Sequence, residues 1–206
     1  MLRKIMKAAL AVFLVAFISL GMTACGKSAA VKNCEKLIKA IGDDITIDNL
    51  QYSADAGTFY DMLSEEDAKK VNTSALDAAE KKLLDMTGSP FQACKKLMGH
   101  MKDPASFRIY GNVVFADMSA LSSDLGTAYV TAITCDAKNS WGAYNGKSVY
   151  EVVASNDSVF FFTEEDEAYI DPMLLLDPPG KFKDTMQSYI FSGKRIAELI
   201  GCEYMD

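Results

Sequence analysis

Ser148-Val149-Tyr150-Glu151-Val152-Val153-Ala154-Ser155-Asn156-Asp157-Ser158-Val159-Phe160-Phe161-Phe162 is the stretch that decides the fold class. Both halves are rich in β-branched and aromatic residues, and Asn156-Asp157 between them is a turn dipeptide, so the stretch predicts two antiparallel strands. The unalternating run Phe160-Phe161-Phe162 suits a strand covered on both faces. Residues 107–118 and 127–136 share this composition, which makes an antiparallel meander of about four strands. Residues 31–101 are patterned for helix instead. The chain therefore reads as α+β: a small N-terminal helical bundle, then a helix packed on an antiparallel sheet.

The helical part is punctuated clearly. Val31, Cys34, Leu37, Ile38 and Ile41 recur at helical spacing until Gly42 stops them. A second helix over 48–63 turns Leu50, Ala54, Phe59, Tyr60 and Leu63 inward, with Gly57 weakening its middle. Ser64-Glu65-Glu66-Asp67 and Ser74-Ala75-Leu76-Asp77 each set a hydroxyl three residues before a carboxylate. That capping box starts one helix ending near 71 and another running to about 86. Thr87-Gly88-Ser89-Pro90 is the expected boundary, with Ser89 as N-cap and Pro90 in the first turn of a helix that reaches about 101. Beyond the strands come the acidic run 164–167, the breakers Pro172 and Pro178-Pro179-Gly180, and a last helix over 194–200.

The N-terminus carries Arg3, Lys4 and Lys7, then an uncharged run over 8–20 that closes on Gly21-Met22-Thr23-Ala24-Cys25. A spanning helix needs roughly 20 apolar residues, so this run is too short and matches a cleaved export signal. Met22-Thr23-Ala24-Cys25 resembles the lipobox of bacterial lipoproteins, with Met22 where Leu is usual. The resemblance implies a signal peptide over 1–24, lipidation of Cys25, a tether over 25–30, and a mature chain anchored on the extracytoplasmic face of the cell membrane. Several acyl chains on one cysteine hold firmly where a single chain holds weakly. Removal of the signal leaves 182 residues with 18 Lys+Arg against 28 Asp+Glu, a net charge of −10. That charge repels phosphate backbones and disfavours nucleic acid as a partner.

Two further stretches carry resemblances. Ala40-Ile41-Gly42, Ile45-Thr46-Ile47-Asp48, Tyr60-Asp61-Met62-Leu63, Lys70-Val71-Asn72, Leu76 and Ala79-Glu80 are similar to a helical module of Gram-positive surface proteins. The likeness covers residues 31–84 and implies a spacer or presentation module, expected over 31–87, with no known catalytic residues. Lys102-Asp103-Pro104-Ala105-Ser106-Phe107 followed by Ala137-Lys138-Asn139-Ser140-Trp141-Gly142-Ala143-Tyr144 resembles a small α+β domain of secreted and lipid-anchored bacterial proteins whose function is uncharacterised. That resemblance covers residues 91–162, supports the fold class of an α+β domain expected over 88–206, and brings no chemistry.

Motifs for catalysis are weak. Gly142-Ala143-Tyr144-Asn145-Gly146-Lys147-Ser148 has three residues between its glycines where a phosphate loop has four, and a strand follows it. It is read as a strand connection, with no cofactor implied. His100 is the sole histidine and falls near a helix end, with Cys94 directed to a different face. Cys34, Cys94, Cys135 and Cys202 lack paired metal-ligand spacing. As an even set in an exported chain they are candidates for disulfides, whereas the apolar positions of Cys34 and Cys94 suit small hydrophobes. The acidic run lacks the spacing of a calcium loop and reads as solvated.

One loop has binding character. Asn139, Trp141, Tyr144 and Asn145 combine aromatics with amides, which could grip a sugar ring or a protein partner if exposed. The expectation is that Trp141, the only tryptophan, folds back over the sheet edge. The function expected is that of a membrane-anchored lipoprotein with a binding or structural role toward a cell-envelope protein or glycan. The alternatives are an envelope glycan or peptidoglycan hydrolase using two carboxylates, and a ligand-binding lipoprotein serving a transporter.

Overall fold

A computed structural model describes residues 27–118, 128–155, 158–178 and 186–206. The export signal, Cys25, the Asn156-Asp157 turn and Pro179-Gly180 lie outside the described residues. Among those residues no helix is long and apolar enough to cross a membrane.

Seven helices and seven strands are described: α1 (Ala29–Ala40), α2 (Leu50–Asp61), α3 (Glu65–Ala68), α4 (Ser74–Leu83), α5 (Pro90–His100), β1 (Arg108–Tyr110), β2 (Val113–Asp117), β3 (Ala128–Asp136), β4 (Ser148–Ser155), β5 (Ser158–Thr163), α6 (Pro172–Leu176), β6 (Gln187–Phe191), α7 (Gly193–Ile200) and β7 (Glu203–Met205). Caps set several of the boundaries. Ser28, Ser64, Ser89 and Ser192 each accept a hydrogen bond from a backbone N–H in the first turn of α1, α3, α5 and α7. Pro90 stands in the first turn of α5. The cap of α4 is Thr73, one residue before the expected Ser74, and its hydroxyl donates to Asp77 at 2.8 Å.

The sheet runs β5-β4-β3-β1-β7, with β2 pairing both β3 and β6. All pairs are antiparallel except β1 with β7. The expected strand over 107–118 is broken at Gly111, where φ is +62°. Ile109 pairs with Cys135, yet Val114 pairs with Ala132, so two residues bulge out between β1 and β2. The bulge splits the outer partners of this strand: β7 lies beside β1, and β6 beside β2.

One hydrophobic core spans the chain from Cys34 and Leu50 through Leu76, Leu83, Phe91 and Leu97 to Phe115, Ile133, Phe191 and Ile196. The helices of residues 29–83 thus cover one face of the sheet together with α5 and α7. The region resembling a spacer is a wall of this core, and hydrogen bonds tie it to the C-terminal segment. Thr58 Oγ1 donates to the Ile190 carbonyl at 3.0 Å, and Ser192 donates to Asp61. Arg195 on α7 is 8% exposed and Glu80 on α4 is 3% exposed. The Arg195 guanidinium donates to both Glu80 carboxylate oxygens at 2.6–2.9 Å and to Asp77 at 2.6 Å. Burial alone would lower the Arg195 pKa, but the hydrogen bonds and charges of Glu80 and Asp77 outweigh it and raise it.

The opposite face is covered by α6, the segment leading into it and Met186 just before β6, where Leu175, Ile170 and Met186 pack with Val114, Ala116, Val130 and Ala132. Pro172 opens α6, where the sequence suggested only a break. The Phe160-Phe161-Phe162 run is not covered on both faces. β5 is an edge strand; Phe161 turns inward and stacks on His100 with ring centroids 4.5 Å apart, whereas Phe160 is 51% exposed.

The four cysteines are free thiols, Cys34, Cys94 and Cys135 buried and Cys202 half-buried. Burial pushes Cys34 and Cys202 up to about 11 and raises Cys94 and Cys135 as well. Thiolate is the reactive form, so native protein at neutral pH should alkylate slowly, with Cys202 first, and all four should react rapidly in denaturant. Peptide mapping after timed iodoacetamide exposure checks this. Rapid native labelling of Cys34 or Cys94 would contradict the packing.

Candidate functional site

The site is built on the connection between β3 and β4, residues 137–147. Backbone pairing of Lys138 with Tyr144 closes the loop at its base. Asn139 organises its tip: the side-chain oxygen accepts from the N–H groups of Trp141 at 2.9 Å and Ala143 at 3.2 Å. The same side chain donates to Asn145 Oδ1 at 2.7 Å. In the backbone, Gly142 N–H donates to the Asn139 carbonyl and Asn139 N–H to the Ala143 carbonyl. Gly142 and Gly146 supply the positive φ angles, +77° and +99°, that such tight reversals need. Lys138 N–H donates to Ser106 Oγ at 2.8 Å, fastening the loop to the segment before β1.

This arrangement reverses the expected fate of Trp141. The indole is 90% exposed and does not fold back over the sheet. Tyr144 takes the inner position instead, with the Arg108 guanidinium 3.7 Å from its ring centroid and Lys138 Nζ at 5.5 Å. Arg108 is itself held by Glu203 on β7, its Nε donating at 2.6 Å. Lys147 covers the neighbouring ring of Tyr110 at 4.1 Å. Both tyrosine rings are therefore engaged by cations, and the Trp141 indole stands open to solvent on the same loop as the exposed Asn145. The loop backbone that carries this flat ring is held by Asn139, so stacking on a sugar or a planar group orders only the two side-chain rotations of the indole.

The other residues considered from sequence are not assembled into a site. His100 is exposed at the end of α5 and stacked on Phe161. The glycine-lysine string at 142–147 belongs to the loop just described and leads into a strand. Glu164, Glu165, Asp166 and Glu167 are exposed in a turn, where Asp166 accepts from the backbone N–H and hydroxyl of Thr163. Among the described residues no group of three His, Cys, Asp or Glu side chains is placed to hold a metal ion.

One unusual carboxyl escaped the sequence reading. Glu151, in the middle of β4, is 0% exposed, and burial raises its pKa to about 7. A charged residue inside a Val-rich strand was the available signal. A carboxyl so deeply covered cannot touch a glycosidic oxygen, so it brings no support to the hydrolase alternative.

No family model matches the chain, and no curated protein or solved structure is significantly similar to it.

Proposed function

We propose that the mature chain is an extracytoplasmic lipoprotein, held at the membrane through Cys25, that binds a cell-envelope glycan with the loop carrying Trp141. The observation that carries the binding part is the exposed indole on a loop whose tip is pinned by Asn139. Tryptophan is among the residues most enriched at binding hot spots, and this one is presented by a loop with a tied backbone. The exposed amide of Asn145 is a polar group suited to sugar hydroxyls, Asn139 being engaged within the loop, and the chain's net charge of −10 after signal removal favours neutral glycans over anionic ones. The anchoring part rests on the lipobox and the basic, apolar and small-residue order of the first 25 residues.

Two measurements test the two parts. Mass spectrometry of the native protein should find acyl mass on Cys25 and no residues 1–24; an unmodified Cys25 or a retained signal would overturn the anchor. Retention on insoluble cell-wall glycan should fall about tenfold or more in Trp141→Ala, with the melting temperature unchanged because the indole packs on nothing. Equal retention of the two proteins would overturn the binding assignment.

A further inference from the structure

On the outer face of the sheet, opposite the helical layer, α6 covers only part of the strands. Leu175 packs with Ala116, Val130 and Ala132, whereas Thr134 and Val149, the next outward-facing pair toward the β3–β4 connection, are only half-buried. There a cleft of about 290 Å³ opens between the strands and the segment leading into α6. Val114 and Val149 give it an apolar floor, and Asn112, Thr134, Tyr169 and Asp171 bring an amide, an alcohol, a phenol and a carboxylate to its lining. No lysine, arginine or histidine lines it among the described residues.

Strand alternation puts this cleft on the same face as the Trp141 loop. Ala132, Thr134 and Asp136 share one side of β3, and Arg108, registered opposite Asp136, faces the same way. The Tyr144 ring lies 3.7 Å from the Arg108 guanidinium, so the loop leans over the outer face at the end of the sheet where the cleft opens. Thr134 and Trp141 are seven residues apart, at most about 25 Å of fully extended chain, and the closure of Lys138 on Tyr144 shortens that span. The cleft and the indole are within reach of one ligand.

We propose that the cleft is a second sugar subsite, and that the ligand of this face is a neutral oligosaccharide of several rings, one lodged in the cleft and another stacked on Trp141. The subsite rests on the reading of the Trp141 loop as a glycan contact and gives that ligand a length and a charge class. A sugar ring has an apolar C–H face and an edge of hydroxyls. The two valines meet the face, and the amide, alcohol, phenol and carboxylate meet the edge. Asp171 is held in place by accepting from Met173 N–H at 2.9 Å.

Size and charge narrow the occupant further. A volume near 290 Å³ is at the small end of ligand sites and suits one ring rather than several. With Asp171 in the lining and no cation beside it, an acidic sugar would be repelled. A peptide added as an extra strand is excluded, because β2, β3 and β4, which floor the cleft, are each paired on both sides. Two subsites on one ligand act together: once the first ring is held, the second binds from within the same molecule, so affinity rises with chain length.

The test titrates the mature chain with neutral cell-wall oligosaccharides fractionated to two, four and six rings, read by NMR at the Trp141 indole N–H and at the Val114 and Val149 methyl groups. With the longer fractions both sets of signals should shift along one isotherm, and the four-ring fraction should bind at least about tenfold tighter than the two-ring one. Thr134→Val/Tyr169→Phe removes two hydroxyls with little change of shape; it should weaken four-ring binding about tenfold while the Trp141 shift persists. Saturable Trp141 shifts with silent cleft methyls, or one affinity at every length, would overturn the subsite and leave the Trp141 contact standing. Cleft shifts without Trp141 shifts would overturn the shared ligand, and absence of saturable shifts at both places would overturn subsite and loop contact together. Tighter binding of cell-wall peptide than of oligosaccharide at the cleft methyls would also overturn the proposal.

Discussion

Arg195→Leu should lower the unfolding free energy by about 3–5 kcal/mol, the range for stranding one member of a buried ion pair. The substitution leaves Glu80, almost fully buried, with its charge uncompensated and its hydrogen bonds to the guanidinium lost. The arrangement has little slack. A Cβ at Gly57 would sit 3.2 Å from Glu80 Oε1 and 3.4 Å from Arg195 Cδ, so α2 presses on the pair from one side. The Tyr60 ring lies 5.2 Å from the guanidinium on the same helix. The double variant Glu80→Leu/Arg195→Met should be distinctly less damaging than Arg195→Leu, because no charge is then left buried. Urea denaturation of the two proteins decides it. A loss below about 1 kcal/mol for Arg195→Leu, typical of a solvated surface pair, would mean that α4 and α7 are not docked as described.

The second large effect is expected at Gly193, the first residue of α7. A Cβ there would meet the Gly111 carbonyl oxygen at 1.9 Å and Ile109 Cγ2 at 3.1 Å. The close atom is backbone, so a side-chain rotation cannot relieve the overlap. The helix start must move away from the β1–β2 bulge, and with it the Ser192 cap that binds Asp61 and the Arg195 that binds Glu80. Gly193→Ala should therefore cost about 3 kcal/mol or more, at or beyond the upper end for overpacking, although alanine is the better helix former. Gly142→Ala is the control: its Cβ meets nothing within 4 Å, and only its positive φ is penalised. It should cost about 1 kcal/mol. Thermal denaturation of both variants reads the difference, and a Gly193→Ala protein as stable as Gly142→Ala would contradict the packing of α7 on the bulge.

These effects mark where sequence reasoning reaches and where it ends. The capped helices were legible because their determinants are local: Ser64 and Ser89 act on amides three residues on, and Pro90 needs no long-range partner. Strands β3, β4 and β5 were legible from their β-branched and aromatic content. β6 and β7 were not, since Gln187–Phe191 is short and Glu203–Met205 is three residues long and exists through its parallel pairing with β1. The Glu80–Arg195 pair joins residues 115 apart, and no local pattern announces it. The Phe160-Phe161-Phe162 run misled because hydrophobicity cannot tell a central strand from an edge. At the candidate site the residue types were legible and their arrangement was not. Burial was expected of Trp141 on the general habit of a lone tryptophan. Its exposure follows from Asn139, which takes the Trp141 and Ala143 N–H groups and so turns the tip outward, and from Arg108, which claims the ring of Tyr144.

Contact between Trp141 and glycan can be read from the molecule's own fluorescence. Trp141 is the only tryptophan, so intrinsic emission reports this loop alone. Free protein should emit as a fully solvated indole. Titration with soluble cell-wall oligosaccharide should shift the emission to shorter wavelength and saturate, as a sugar ring displaces water from the indole face. Saturable oligosaccharide binding seen by calorimetry with no change in Trp141 emission, or no binding at all, would contradict the account.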